Sequence, residues 1–128
     1  MSYKSYLLVL SQLSSRKKAE CVIQGSVIFV ELADKKQKWH LSTKLLDASE
    51  EPIPSFLKRS LSRQGILRWQ ERGAFLRLDP ETSNVYLIQE IESLNKYVPF
   101  KHVMSDFANV ATEWKDVLQN DVPLHRIG

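Results

Sequence analysis

One cysteine, four glycines and no long apolar run set the first limits on this chain of 128 residues. Cys21 has no second cysteine to bond, so no internal disulfide can brace the fold, and a buried reduced thiol is the simple reading. Gly25, Gly65, Gly73 and Gly128 stand too far apart for a dinucleotide fingerprint or a phosphate-cradling loop. His40, His102 and His125 are scattered, and with Cys21 alone no zinc-ligand spacing exists. There is no Gly-x-Ser-x-Gly elbow and no Cys-His arrangement. Glu50 and Glu51 are adjacent beside Pro52, whereas acid-base work needs two rigidly held groups with separated pKa values. The expectation is a protein without enzyme activity, cofactor or metal. No segment approaches the roughly 18 apolar residues of a membrane helix. Tyr6 to Leu10 is apolar but too short for the core of a secretory leader, so a soluble cytosolic protein is expected.

What the chain does contain fits one domain over residues 1–128. Hydrophobic residues make up 43% and charged residues 26%, the balance of a globular protein with a real core. The net charge of +3 conceals a polarity: residues 1–78 hold 14 Lys and Arg against 7 Asp and Glu, whereas residues 79–128 hold 4 against 8. That asymmetry suits docking onto an acidic protein or oriented self-association. The basic residues come as pairs, Lys17-Lys18, Lys35-Lys36 and Lys58-Arg59, not as a stripe interleaved with stacking aromatics, which argues against nucleic acid.

Along the chain, Tyr3, Tyr6, Leu7, Leu10 and Leu13 recur at helical spacing, with Ser2 placed to cap the helix and Arg16 to Lys18 to end it. Leu8 and Val9 widen the apolar face beyond one core contact, which reserves part of it for another chain. Glu20 to Ile23 reads as a strand, Gln24-Gly25 as a bend, and Ser26 to Leu32 as a central strand apolar on both faces and covered on each side. Lys38 to Leu45 alternates, with Trp39, Leu41, Thr43 and Leu45 on one face and His40 on the solvated one. Pro52 and Pro54 mark a surface loop, and Ser55 to Gln64 reads as a short helix with Phe56, Leu57 and Leu61 on its apolar side. Ile66 to Leu78 reads as one strand bent at Gly73. The turn Asp79 to Asn84 then returns the chain into Val85 to Ile91. Pro99 stands near the first turn of a last helix, where Phe107, Val110, Ala111, Trp114, Val117 and Leu118 form a core stripe. The fold class is α+β: an antiparallel sheet of about five strands with three helices, in the order α-β-β-β-α-β-β-α.

That order, the hairpin Leu76-Arg77-Leu78-Asp79-Pro80-Glu81-Thr82-Ser83-Asn84-Val85-Tyr86-Leu87 and the Phe107, Trp114, Leu118 spacing resemble the class I chaperones of type III secretion systems. The resemblance covers the chain from end to end. It implies a bacterial cytoplasmic protein that binds the N-terminal segment of a secreted effector or gatekeeper protein and keeps it soluble and export-competent, with no ATP or metal. It implies an apolar cargo groove formed by Tyr3, Tyr6, Leu7 and Leu10 with Val27, Phe29, Trp39 and Leu41. It further implies a dimer joined through Phe56, Leu57, Leu61, Leu67 and Trp69. Members of the family are usually acidic, whereas this sequence has a pI of about 9.0. The departure points to a heterodimer with a second, acidic chaperone as the alternative to a homodimer. The competing functional readings are a regulatory protein that binds a component of the transcription machinery and a small RNA-binding domain, the latter marked by steep salt dependence.

Overall fold

The computed structural model describes residues 2–33, 38–47, 66–68, 74–79 and 81–120, with 66–68 and 119–120 described by backbone alone. Helix α1 (Tyr3–Arg16) begins where Ser2 Oγ accepts the Ser5 N–H at 3.1 Å, which satisfies one of the unpaired donors of the first turn. It ends at Lys17, whose backbone is left-handed at φ 62° and whose N–H returns to the Leu13 carbonyl at 3.0 Å. Tyr6, Val9 and Leu13 recur at steps of three and four and face the core.

Strands β1 (Lys18–Ile23), β2 (Ser26–Leu32) and β3 (Lys38–Leu46) form an antiparallel meander. Gln24 and Gly25 join the first two with positive φ at both positions, the reversal whose twist matches paired strands. Strand β4 (Ile66–Arg68) pairs with β5 (Ala74–Leu78), β5 with β6 (Val85–Glu92), and β6 with β3. Among the described residues six strands stand in the order β1-β2-β3-β6-β5-β4, every neighbouring pair antiparallel. The α+β antiparallel architecture is the expected one. Its sheet has one strand more, because Ile66 to Leu78 is two strands running antiparallel to each other rather than one bent strand. Gly73 and the helix expected over Ser55 to Gln64 lie outside the described residues.

Between β5 and β6 the turn is built by Asp79. Its Oδ1 accepts the Glu81 N–H at 3.0 Å, its Oδ2 accepts the Thr82 hydroxyl at 3.0 Å, and its carbonyl accepts the Ser83 N–H at 2.8 Å. Helix α2 (Tyr97–Asn120) carries Pro99 in its first turn. Phe100, Met104, Phe107, Ala111, Trp114 and Leu118 then line one buried stripe, the expected one extended by two turns at its start.

Both helices pack on one face of the sheet. Ile28 and Val30 on β2, Trp39 and Leu41 on β3, Leu76 on β5, and Val85 and Leu87 on β6 point into that core. Among the described residues, Thr43 and Ser26 are buried and satisfied: Thr43 donates to the Val27 carbonyl at 2.8 Å, and Ser26 accepts from Lys115 Nζ at 2.8 Å. Residues on the opposite parity face outward. Strand β2, expected to be covered on both sides, therefore leaves Val27 and Phe29 exposed. Val27 to Val30 is apolar on both parities, so within that run nothing marks the outer side; Glu31, of the same parity as Val27 and Phe29, is the outer residue whose charge does.

Candidate partner-binding surface

Three adjoining surfaces carry the exposed apolar side chains. The first is the outer side of α1. Tyr6, Val9 and Leu13 occupy its inner face, and a helix advancing about 100° per residue turns Tyr3, Leu7 and Leu8 away from them. These three are 57%, 46% and 54% exposed. Tyr3 sets its ring edge-on to Tyr97 at 5.4 Å, and Tyr6 meets Tyr97 at 5.8 Å and Phe100 at 4.8 Å. The starts of the two helices are thereby held side by side, and Val98 adds exposed apolar area on α2.

The second is the open face of the sheet. Cross-strand register lines up Glu20, Phe29, Ser42, Ile88 and Phe75 across five strands. Phe29, Ile88 and Phe75 give this row its apolar character, with Val22 opposite Val27 beside it. A parallel row is charged: Lys18 lies 3.8 Å from Glu31, and His40 and Lys38 lie 2.8 and 3.2 Å from Glu90. At the other end of the face, Ser42, Arg77, Asp79, Tyr86 and Ile88 line a cavity of about 290 Å³. The third surface joins the other two around the free edge of β1, where Gln12, Arg16, Lys18, Ala19, Glu20 and Phe29 line a cavity of about 430 Å³.

The eight residues expected to form one cargo groove do not come together. Tyr3 and Leu7 are exposed on α1, and Leu10 is partly buried against the core. Tyr6, Trp39 and Leu41 are 4%, 3% and 0% exposed, so they support the surface from below and line no groove. Val27 and Phe29 are exposed, but on the face of the sheet opposite to Trp39 and Leu41. The reason is parity. Val30 pairs with Leu41, and Phe29 pairs with Ser42, so the odd and even residues of β2 and β3 sort onto different faces. Of the residues expected at a dimer interface, Phe56, Leu57, Leu61 and Trp69 lie outside the described residues, and Leu67 is placed by its backbone in β4, at one edge of the sheet.

Leu8, Val98 and Tyr97 belong to this surface although the sequence reading did not assign them to a site. Leu8 carried a signal, being the residue that made the apolar face of α1 too wide for a single contact. Val98 and Tyr97 carried none, since nothing in their local pattern shows that α1 begins beside them. Cys21 is half-buried and its thiol is pushed up to about 11, chiefly by burial and then by Glu20, which leaves little of it as the nucleophilic thiolate near neutrality.

No protein-family model matches this chain, and no characterised protein matches it by sequence. Among solved structures, a chain of the ExsC-ExsE complex superposes with a TM-score of 0.55 at 12% identity, over 90% of this chain and 92% of that one. A chain of the HopA1-SchA chaperone-effector complex superposes with a TM-score of 0.54 at 16% identity, over 88% of this chain and 93% of that one. At such identities the likeness is one of fold, and it extends over nearly the whole of each molecule.

Proposed function

We propose that this chain is a class I type III secretion chaperone, which binds the N-terminal segment of a secreted effector or gatekeeper protein and holds it non-globular until export. The observation that carries this reading is the exposure of Tyr3, Leu7 and Leu8 over the outer half of a helix whose inner face already fills the core. A helix with its own packing complete does not need three large apolar side chains in water, and such a strip suits a partner polypeptide. The fold shared with a chain of a chaperone-effector complex supports the same reading.

Binding requires no chemistry beyond burial and hydrogen bonding. Each leucine-sized side chain taken out of water contributes about 1.5–3 kcal/mol, and several are needed to offset the entropy of ordering an extended segment. The cargo would run over Tyr3, Leu7 and Leu8 and add a strand to the edge of the sheet, where main-chain bonds give affinity and alternating side chains give selection. The second edge belongs to β4, which carries Leu67, and this is where a second subunit would join. That subunit would be another copy or an acidic chaperone complementary to the basic N-terminal portion.

The test is co-expression with secreted proteins encoded beside this chain, followed by mass determination of the soluble complex. A stable complex with one of them, lost in Leu7→Asp while the chain stays folded, is expected. Recovery of polymerase subunits with no secreted protein would replace this reading with the transcriptional one.

A further inference from the structure

Strand β1 is outermost in the sheet, so one of its hydrogen-bonding sides has no strand beside it among the described residues. The ladder fixes which backbone groups point that way. Leu32 donates its N–H to the Lys17 carbonyl at 3.1 Å, and bonded positions alternate along an antiparallel pair. Ala19, Cys21 and Ile23 therefore exchange bonds with β2, whereas Lys18, Glu20 and Val22 turn their N–H and C=O groups outward. The middle donor of the three is already engaged: Gln12, on α1, accepts the Glu20 N–H on its side-chain Oε1 at 3.2 Å.

A glutamine carboxamide is a primary amide on a short tether. Its oxygen thus stands where the backbone carbonyl of an added strand would stand. An unguarded edge invites pairing with any extended chain, including a second copy of itself, and natural sheets blunt such edges with side chains. Here the cap is a single exposed hydrogen bond, strong enough to discourage casual pairing and weak enough to yield.

We propose that Gln12 guards the β1 edge, and that an extended segment of the partner polypeptide docks there by displacing the carboxamide from Glu20. This rests on the chaperone reading above, in which the cargo adds a strand to the sheet edge, and adds to it what that strand must displace. Outward groups at every second residue match an extended backbone and not a helix, whose N–H and C=O groups are spent internally. The side chains of the incoming strand would alternate between the open face beside Lys18, Glu20 and Val22 and the flank of α1 that bears Gln12 and Arg16. Arg16 has no ion pair among the described residues and lines the edge cavity with Lys18. Val22, 68% exposed, stands toward the other end of the edge. The segment that fits is extended, acidic at one end and apolar toward the other.

The experiment titrates the full chain with a synthetic peptide of about ten residues, alternating valine and threonine with glutamates at one end. Amide hydrogen exchange is followed at Glu20 and Val22. Gln12→Ala is expected to bind about threefold to tenfold tighter than the parent, the factor that releasing one exposed hydrogen bond is worth. Without peptide its Glu20 amide should exchange faster than in the parent; with peptide both proteins should protect it. Val22→Pro, which removes an outward donor and spares the β2 ladder, should abolish binding with Gln12 present or absent while the melting temperature is largely kept. Equal affinity of Gln12→Ala and the parent overturns the guard. Undiminished binding by Val22→Pro overturns the docking edge, and so does a lack of binding by both the parent and Gln12→Ala. A chain that still co-purifies with a secreted partner in any of those cases keeps the chaperone reading and loses only this proposal.

Discussion

His40 and Glu90 stand directly opposite each other on β3 and β6, with His40 Nε2 2.8 Å from Glu90 Oε2. Lys38 places its Nζ 3.2 Å from the other carboxylate oxygen. The hydrogen bond from His40, and after it that from Lys38, holds the Glu90 carboxyl below its ordinary value. The residue that alternation left as a plain solvated histidine is thus one half of a cross-strand pair, because its partner arrives from 50 residues further along the chain.

The sign of the resulting pH dependence follows from linkage. A carboxylate depressed in the folded state contributes stability above its unfolded value, and that contribution is lost as the pH falls through its folded value. Glu90→Gln should therefore lower the melting temperature slightly near neutrality, where the contribution is present, and converge on the parent below about pH 4.3, the unperturbed glutamate value, so that its fall into acid is shallower. Circular dichroism melts across the acid range check this; two superimposable acid limbs would exclude the pair as a contributor.

Cys21 should resist alkylation in the folded protein. With its thiol raised from 9.0 to about 11, its thiolate fraction at neutral pH is about a hundredfold below that of an unperturbed thiol. Iodoacetamide labelling followed by mass spectrometry should be slow in buffer and fast in denaturant. Equal rates in the two conditions would contradict the raised pKa and the half-buried placement.

The apolar side chains of α1 should separate into two classes on mutation. Leu7→Asp and Leu8→Asp change exposed positions and should shift stability by about 0.5 kcal/mol or less. Leu10→Asp sets a charge against the core and should cost about 2 kcal/mol or more, and Tyr6→Ala should cost about 3–5 kcal/mol by cavity formation. Urea titrations measure all four. A large loss in Leu7→Asp would make α1 a sealed core helix and remove the main support for partner binding.

Lys17→Gly should stabilise the fold. Lys17 is held at φ 62°, where a side chain costs roughly 1–2 kcal/mol and glycine does not, while the entropy of the glycine returns about 0.5–1 kcal/mol to the unfolded state. A net gain of about 0.5–1 kcal/mol in urea midpoint experiments is expected. A loss would mean that the lysine side chain contributes more than its backbone strain costs.

The helices and turns were legible in the sequence because their causes are local. The 3.6-residue recurrence of Tyr6, Val9 and Leu13 and the cap at Ser2 specify α1 without reference to anything distant. Asp79 builds its turn from bonds to Glu81, Thr82 and Ser83, all within four residues. The alternation of β3 placed Trp39, Leu41, Thr43 and Leu45 together, and they are together. The Ile66 to Leu78 run misled because Gly73 reads equally as a bend within one strand and as a break between two, and only the pairing of Leu67 with Leu76 decides between them.

What the sequence by itself determined is thus the two described helices, the turns and which side chains share a side of β3, whereas it merged β4 with β5 and set Tyr3 and Leu7 on one face of α1 with Tyr6. Tertiary structure decided which side of β2 is inside, since Phe29 and Val30 look alike within the apolar run Val27 to Val30 until Ser42 and Leu41 are set opposite them. It likewise decided that β6 lies between β3 and β5, and that Gln12 meets the one outermost edge of the meander. The physical reason is that strand pairing has a period of two and joins segments far apart in the chain, so shifting a register by one residue exchanges core for surface without changing any local preference.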